Sequence, residues 1–525
     1  LDAFESLFGI RAFVDYDFSK AETIVSIDAD FLGDWQGGGY EGGYTKGRIP
    51  KGKKGKSSMS HHIQFESNMT LTGANADHRI PCNQNVLKKI VVEIYSQILG
   101  IKKAMLPGLN DLDDHLKNRI SLTLQRLKKS KSKAVIVSGI ENVEIQKMII
   151  EINQFLKSSA MDIEQPRLIR KGKNALIKNV VDGIIDNSIH GIIAIGVDPG
   201  YTLPNGDKFV KALEKLDLSV VFSLKENQTL NGAEYVAATP HCLEGWGDYE
   251  FKLGHYSLAQ PTIRPLFDTR QFQDVLLKWI GKDSNYYQEI KKNWKENILE
   301  GIPWNKSLHN GFYISDKKFK PKSIDLSNRG HDFSKLWKPS EVDFIELILY
   351  SKIGMGDGKQ ANNPWLQEFP DPVTRTTWDN YLTVSMKDAK KIGFKNINVA
   401  NGGLNGSYAK IEVGEKEIVA PVIIQPGQAE GTMGLAFGYG KIHGLKKEMQ
   451  VGVNAFQVYN DFNKTQEVKV SLNESGYHEF ACIQLQNTLM GRGDIIKETT
   501  LEVFNTKDKS YWNPIPVVSK NHIET

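Results

Sequence analysis

Residues 354–372, with the sequence GMGDGKQANNPWLQEFPDP, form the stretch that decides the predicted fold. It holds two Gly-x-Gly turns, paired asparagines and one isolated tryptophan before a Gln-Glu pair. The apolar segment 344–350 precedes it and is interpreted as helical. Long structured loops of this kind are more often functional than idle. An ordinary interdomain connector is the alternative, because Gly and Pro mark turns of any purpose.

Several stretches of the chain carry a resemblance to a known family. They are 357–358 (DG), 362–368 (NNPWLQE), 370–372 (PDP), 66–79 (ESNMTLTGANADHR), 241–248 (HCLEGWGD), 260–270 (QPTIRPLFDTR) and 434–440 (GLAFGYG). These stretches resemble the molybdopterin oxidoreductase family. They are most similar to its branch without molybdenum, the iron-sulfur B subunit of bacterial alternative complex III, and they cover nearly the whole chain in the same order.

The resemblance implies an α/β fold of the molybdopterin oxidoreductase type, with parallel-sheet Rossmann-like domains followed by a C-terminal double-psi β-barrel. We expect three domains. Residues 1–130 form an α/β region with a long Gly-rich loop. Residues 131–350 form a Rossmann-like parallel α/β domain with a helical and irregular extension, and residues 351–525 form a barrel of the molybdopterin-dinucleotide-binding type.

Composition excludes several classes of protein. The 525 residues are 40% hydrophobic and 24% charged, which are ordinary globular values and argue against disordered and fibrous proteins. The net charge of +4 is small for this length, so nucleic acid is not an expected partner. The two lysine-rich runs, 51–56 and 128–133, are interrupted by Gly or Ser and are interpreted as solvated loops rather than phosphate-binding patches.

Cysteine usage limits the cofactors that this chain can bind alone. Its three cysteines are far apart and form no Cys-x-x-Cys pair. An iron-sulfur cluster needs about four thiolates, and a c-type haem needs Cys-x-x-Cys-His, so neither is expected here. His61, His62, Glu66 and His78 lie close together but match no zinc signature, which favours hydrogen bonding within the fold over a metal site.

The termini and the hydropathy of the chain bear on its location. No apolar run approaches the ~18 residues of a membrane helix. The sequence begins at Leu1 without an initiating Met or a signal peptide, and we expect it to start inside a longer polypeptide whose export signal lies upstream.

Strand and helix patterns alternate most regularly from residue 133 to residue 224, and further strands and helices are predicted before this unit. Strands are predicted at 23–27, 133–139, 192–197 and 219–224, and helices at 86–99, 115–127, 145–156, 175–185 and 209–216. In the unit from 133 to 224, the alternation and the continuous apolar strands predict a parallel sheet covered on both faces. No Gly-x-Gly-x-x-Gly follows the strand at 133–139, so NAD binding of the usual kind is not expected.

Two strand ends carry candidate ligand groups. Asp28 and Asp30 follow the first strand, where the carboxyl edge of a parallel sheet gathers ligands, although acids that hold a loop are the alternative. Asp198 follows a later strand in the loop 197–201, which is either a ligand loop or a plain Pro-Gly turn. The stretch 241–248 suggests a Cys/His site, but no second base is placed near it by the sequence.

After residue 372 the pattern changes to short alternating runs such as 409–413 and 419–424, broken by Gly and Pro. This pattern is typical of a small all-β barrel. The Gly-rich stretches 425–427, 434–440 and 452–455 resemble loops of the family's last domain. In relatives with a cofactor that domain closes over the pterin, so these loops could contact a ligand. The alternative is that they are barrel corners, where the backbone requires Gly with or without a ligand.

The resemblance implies a non-catalytic structural part of a membrane-bound respiratory quinol:cytochrome c or oxidase oxidoreductase, which holds haem and iron-sulfur subunits in place. No cofactor or metal is expected in this chain, and Asp198, Asn363, Trp365 and Gln367 are candidates for a vestigial pocket. Implied partners are a multihaem cytochrome c with haem c, a ferredoxin-like half with iron-sulfur clusters, and integral membrane quinol-binding subunits at the periplasmic face of the bacterial inner membrane.

Two other functions stay open at this point. One is the catalytic subunit of a molybdenum or tungsten bis-pterin oxidoreductase of the polysulfide or tetrathionate reductase type. The other is a soluble binding module that kept the pocket for a different nucleotide.

Overall fold

The computed structural model describes residues 1–52, 55–101, 112–322, 324, 331, 333, 336, 344–399, 403–483, 497–515, 519–520 and 523–524. Within these residues the chain forms a parallel four-stranded sheet, a parallel three-stranded sheet, an antiparallel five-stranded sheet and a closed barrel.

The parallel four-stranded sheet holds the first part of the chain. Its strand order is β4-β3-β2-β5, and apolar side chains are buried on both of its faces. Helices α4 and α5 cover one face, and aromatic residues of α1 and the early loops cover the other. The elements are α1 (Asp2–Phe8), β1 (Phe13–Tyr16), β2 (Thr23–Ile27), α2 (Glu41–Arg48), β3 (His61–Glu66), α3 (Leu71–Ala74), β4 (His78–Pro81), α4 (Gln84–Leu99), α5 (Asp114–Ser130) and β5 (Ala134–Ser138).

The middle of the chain contributes two further sheets. Strands β7, β8 and β9 form the parallel three-stranded sheet, and β1, β6, β10, β11 and β12 form the antiparallel one. The elements are α6 (Val143–Leu156), β6 (Met161–Arg167), α7 (Asn174–Ile185), β7 (Gly191–Ile195), α8 (Pro199–Thr202), α9 (Gly206–Leu213), β8 (Leu218–Ser223), β9 (Tyr235–Ala238), β10 (Gly247–Lys252), β11 (His255–Ala259), α10 (Phe272–Trp279), α11 (Tyr286–Asn293), α12 (Trp304–Asn310) and β12 (Phe312–Ile314).

The predicted helices and strands of the first 224 residues are confirmed, but they belong to two parallel sheets instead of one. Strand β5 pairs with β2, with Ala134 opposite Thr23, and not with β7 or β8. In the sheet of β7–β9, Phe222 is buried against Phe272 and Trp279 of α10, whereas Ile193 and Ile195 on the same face are each 43% exposed. The pairing of β5 with β2 crosses the expected limit at residue 130, and the three domain limits themselves stay a prediction.

The C-terminal part forms the barrel. Strands β16-β17-β14-β18-β13-β19 pair in sequence, and β19 pairs again with β16 to close a six-stranded ring. The elements are β13 (Ile345–Tyr350), α13 (Pro364–Glu368), β14 (Leu382–Val384), α14 (Met386–Ile392), β15 (Asn396–Asn398), β16 (Leu404–Val413), β17 (Lys416–Ile424), β18 (Thr432–Ala436), β19 (Thr465–Phe480), α15 (Leu501–Thr506), α16 (Lys509–Trp512), β20 (Ser519–Lys520) and β21 (Ile523–Glu524).

The helix expected at 344–350 is wrong, because β13 occupies Ile345–Tyr350. This strand pairs in parallel with β18 and antiparallel with β19 in the barrel wall. A strand buried in this way has a continuous apolar run instead of a period of two, and such a run cannot be told from a buried helix. The closed barrel is confirmed, and its double-psi crossing stays a prediction.

Among the described residues, no helix has the length and apolar character needed to cross a bilayer.

Candidate functional site

A cleft of about 660 Å³ lies between the four-stranded sheet and the barrel. One wall is formed by residues that follow the carboxyl ends of β2, β3 and β5 and by the start of α4. The other wall is formed by β13, the loop 351–374 and the segment 463–467. The cleft therefore sits at the carboxyl edge of a parallel sheet, where open α/β folds bind their ligands.

Asp28 and Asp30 line this cleft, as their position after β2 predicts. Asp28 accepts hydrogen bonds from the Gln84 side-chain amide at 2.6 Å and from the Ser67 N–H at 3.1 Å. Asp30 accepts from the Thr72 hydroxyl at 2.7 Å and from the Thr72 N–H at 3.1 Å. Both acids therefore hold loops by hydrogen bonds and also line the cleft. The interpretation as loop-holding acids and the interpretation as groups at a ligand site both apply.

Burial sets the protonation of these two acids. Loss of solvent raises the pKa of Asp28 to about 7, and the charges of Glu66 and Glu346 add to the rise. Burial also raises the pKa of Asp30. Near neutral pH Asp28 is therefore only partly ionised.

The side chain of Glu346, on β13, caps the start of helix α4. Its carboxylate accepts the Gln84 N–H at 2.7 Å and the Asn85 N–H at 3.3 Å. Asn83 accepts the Val86 N–H at 2.9 Å, so the first three N–H groups of this helix all have partners. Free N–H groups at a helix start form a ready anion site, and here the chain's own side chains fill it.

Carboxylates outnumber cations along the cleft. The acids are Asp28, Asp30, Asp34, Glu141, Glu346, Asp371 and Glu467, and the cations are Lys88, Arg170, Lys352 and Lys464. Three of the cations are held by acids of the same lining: Arg170 by Asp34 at 2.6 Å, Lys464 by Glu141 at 2.9 Å and Lys352 by Asp371 at 3.5 Å. The described lining contains neither cysteine nor histidine.

A buried ion pair joins the sheet to the barrel beside the cleft. Glu66 at the end of β3 is fully buried, and Arg79 donates to it from Nε at 2.5 Å. Arg79 also donates to the Gly427 carbonyl of the barrel at 2.6 Å. Gly73 packs against Glu66, where a Cβ atom would lie 1.9 Å from the carboxylate, so this position requires glycine.

The histidines near this pair hydrogen-bond within the fold. The ring nitrogens of His62 lie 3.1 Å from the Tyr44 hydroxyl and 3.1 Å from the Gln64 side-chain oxygen. Burial lowers the pKa of His62 to about 4. Nowhere in the described part of the chain do three His, Cys, Asp or Glu side chains form a group that would hold a metal ion.

The four predicted pocket residues lie elsewhere. Asp198 accepts from the Thr229 hydroxyl at 2.8 Å and pairs with Lys441 at 2.9 Å. Asn363 caps helix α13 by accepting the Trp365 N–H at 3.1 Å, and Trp365 is 81% exposed. Gln367 is buried and donates to the Ala361 and Met449 carbonyls at 2.9 Å each. None of the four is in the described cleft lining.

The pattern of the sequence did not predict Glu346, Glu467 and the paired cations as cleft residues. The signal for Glu346 was an acid inside the apolar run 345–350, IELILY, since an ionised group in a buried strand needs a partner. The stretch 241–248 lies away from the cleft, with His241 and Cys242 exposed, and all three cysteines are free thiols.

Tyr201 holds α8 against the barrel and offers a test of this packing. Its hydroxyl donates to the Tyr439 carbonyl at 2.7 Å, and its ring is fully buried. Replacing Tyr201 with phenylalanine leaves that carbonyl without a partner, and we expect a loss of about 1–2 kcal/mol in local unfolding free energy. Hydrogen exchange of the 439–454 amides measures the loss. Tyr235→Phe, at an exposed tyrosine, is the control, and an equal effect of both variants contradicts the prediction.

Comparison with known proteins supports the fold. No family model matches this chain, and no curated protein matches it. Among solved structures, acetylene hydratase from Pelobacter acetylenicus is similar, with a TM-score of 0.56 at 11% identity over 89% of this chain and 80% of that one. The chain shares its overall fold. The predicted architecture of parallel α/β sheets and a barrel is thereby confirmed in outline.

Proposed function

We propose that this chain is a non-catalytic structural part of a membrane-bound respiratory quinol oxidoreductase of the alternative complex III type. In this role the molybdopterin-oxidoreductase-like fold holds neighbouring redox subunits and carries no pterin or metal of its own. Support comes from the sequence resemblance at 66–79, 241–248 and 362–372, and from the chemistry of the cleft.

One observation carries the proposal, namely Glu346 at the start of helix α4. A pterin dinucleotide is an anion with a pyrophosphate, and proteins hold such groups with helix N–H donors and free cations. Here Glu346 accepts the two N–H groups that a phosphate would need, at 2.7 and 3.3 Å. The Glu346 carboxylate would also repel an anion at this position.

The other charged side chains of the cleft also disfavour an anionic ligand. The described lining has seven carboxylates against four cations, and three of those cations are already paired with acids. Helix α6 also begins beside the cleft, and its Glu144 and Ile145 N–H groups donate to the Asn142 side chain. The residues present therefore do not fit an anionic dinucleotide.

The proposed partners are a multihaem cytochrome c, a ferredoxin-like iron-sulfur half and integral membrane quinol-binding subunits, at the periplasmic face of the inner membrane. Exposed apolar surface supports assembly with other subunits. Ile193, Ile195 and Tyr235 are 43–55% exposed on one face of the sheet of β7–β9. Apolar residues grouped on one face in this way are typical of surfaces that a partner covers.

Metal and pterin content test the proposal. The purified protein, in its native complex, is assayed for molybdenum and tungsten, and for pterin fluorescence after oxidative release. We expect neither element and no pterin above the level of a matched blank, in a preparation that still oxidises quinol. Stoichiometric metal with pterin would overturn the proposal.

A molybdenum or tungsten bis-pterin oxidoreductase is the second candidate function. The observation in its favour is the fold shared with acetylene hydratase, an enzyme by name. The same assay decides between the two candidates, because only this one requires one metal atom and two pterins per chain.

A further inference from the structure

Strand β7 is one edge of the parallel three-stranded sheet, and its outer side is open. Among the described residues only β8 pairs with it. The Gly196 N–H, just after the strand, donates to the Phe222 carbonyl of β8 at 2.9 Å. Backbone groups alternate between the two sides of a strand, so Gly191, Ile193 and Ile195 direct their N–H and C=O groups outward. The edge therefore offers three donors and three acceptors to another strand.

The sequence of β7 lacks the features that keep an edge strand unpaired. It reads GIIAI, with no charged residue and no proline, and its register with β8 contains no bulge. Charges, prolines and bulges are the usual means by which proteins prevent pairing at an edge. Ile193 and Ile195 are also each 43% exposed. We expect a regular, uncharged and apolar edge of this kind to pair with a further strand.

The helices on both faces of this edge carry apolar side chains that the chain leaves uncovered. Helix α7 packs against Ile192 of β7, and helix α10 lies on the opposite face, where the ring centroids of Trp279 and Phe222 are 6.2 Å apart. Each helix has three apolar side chains that are 41–60% exposed, at intervals that place them on one side: Leu176, Ile177 and Val180 for α7, and Leu276, Trp279 and Ile280 for α10. A second sheet beside β7, with its own helices, covers both sets.

The side chains of β7 are complementary to those of an identical strand. In an antiparallel pair with the two-fold axis at Ile193, Gly191 lies opposite Ile195 of the second copy, and Ile192 lies opposite Ala194. A small residue thus meets a large one in each of these pairs, and the two Ile193 side chains meet each other. The residues with outward backbone groups also lie opposite one another, so all of those donors and acceptors are satisfied.

We propose that the open edge of β7 binds a second copy of this chain, so that two three-stranded sheets join into one sheet across a two-fold axis. Helices α7 and α10 of one copy then face the same helices of the other, as a two-fold interface requires. This inference goes beyond the proposed structural role, because it names a partner for the exposed face of this sheet. It does not depend on whether the chain carries metal or pterin.

Sedimentation velocity of the full chain tests the oligomeric state, and we expect a dimer at micromolar concentration. Ile193→Lys places two like charges at the two-fold axis, and we expect the dissociation constant of the dimer to rise about a hundredfold or more. Val236→Lys is the matched control, because Val236 is 56% exposed on β9, at the other edge of the sheet. This control should leave the dissociation constant unchanged.

A cysteine at the axis tests the register without adding charge. A residue on a two-fold axis lies beside its own copy, within the reach of a disulfide. In a Cys242→Ser background, which removes the exposed native thiol, Ile193→Cys is expected to give a disulfide-linked dimer under mild oxidation. Val236→Cys in the same background should stay unlinked.

A native chain that stays monomeric at micromolar concentration overturns the inference and leaves the edge to a strand of another protein. The inference is also overturned if Ile193→Lys and Val236→Lys weaken the dimer equally, or if Ile193→Cys forms no linked dimer. Metal and pterin content is measured separately, so a monomeric chain without metal contradicts this inference and leaves the proposed function standing.

Discussion

Replacing Arg79 with methionine is expected to destabilise the N-terminal sheet by about 3–5 kcal/mol. The substitution leaves Glu66 fully buried without its ion-pair partner, which sits 2.5 Å away in the native protein. Burial already raises the pKa of Glu66, and the charge of Arg79 opposes that rise. The variant also loses the hydrogen bond to the Gly427 carbonyl. Hydrogen exchange of the β3 amides measures the local free energy of opening.

Three further variants make this prediction specific, namely Arg264→Met, Glu66→Gln and the Arg79→Met/Glu66→Gln double variant. Arg264→Met, at an exposed arginine, is the matched control and should change the exchange rates little. Adding Glu66→Gln to the Arg79→Met protein removes the unpaired charge and should recover part of the lost stability. If the two single effects simply add in the double variant, the ion pair does not hold this wall of the cleft.

Replacing Asp28 with asparagine is expected to stabilise the protein as the pH rises. The pKa of Asp28 is raised from 3.8 to about 7 by burial, so the unfolded chain releases this proton at lower pH than the folded one. Stability from this group is therefore greatest at low pH and is lost as the pH rises from near 4 through about 7. Asparagine cannot ionise, so the variant does not lose this stability as the pH rises.

The expected size follows from the shift. Between about pH 5 and about pH 8 the advantage of Asp28→Asn over the native protein should grow by about 2–3 kcal/mol. Urea unfolding followed at both pH values measures the difference. Asp186→Asn, at an exposed acid, is the control. An advantage that shrinks as the pH rises would show that the folded protein holds Asp28 as a stabilised carboxylate.

Local pattern was enough to predict the four longest described helices, α4 to α7, and the parallel strands β2, β5, β7 and β8. Helix α4 has Val86, Ile90, Ile94 and Ile98 at intervals of four, and the prediction missed its observed start, Gln84, by two residues. The barrel was also predictable, because its short alternating runs recur between Gly and Pro. Helix caps and strand alternation act over a few residues, so the sequence alone displays them.

Pairing over long distances was not predictable in the same way. Strand β5 joins β2 across more than a hundred residues, although its nearest predicted strands lie at 192–197 and 219–224. Strand β13 looked helical because burial on both sides removes the period of two. In each case the deciding partner is remote in sequence, and no local propensity identifies it.

Only some of the residues that line the cleft could be predicted from the sequence. Asp28 and Asp30 follow from the rule that ligands gather at the carboxyl edge of a parallel sheet. Trp365 was chosen as an isolated aromatic within a polar loop, yet it is 81% exposed and outside the described lining. Glu346 and Glu467 become neighbours only when β13 and β19 pair, so their shared position depends on the completed barrel.

The contact of Glu346 with helix α4 also bears on how the chain folds as it is made. The Gln84 N–H and its acceptor are 262 residues apart. At a synthesis rate of ~5–20 residues per second, the helix waits roughly 10–50 s for that acceptor to leave the ribosome. During this interval the first turn of α4 and the adjoining sheet edge face solvent. We therefore expect nascent chains that stop short of residue 346 to fray at this helix and to engage chaperones there.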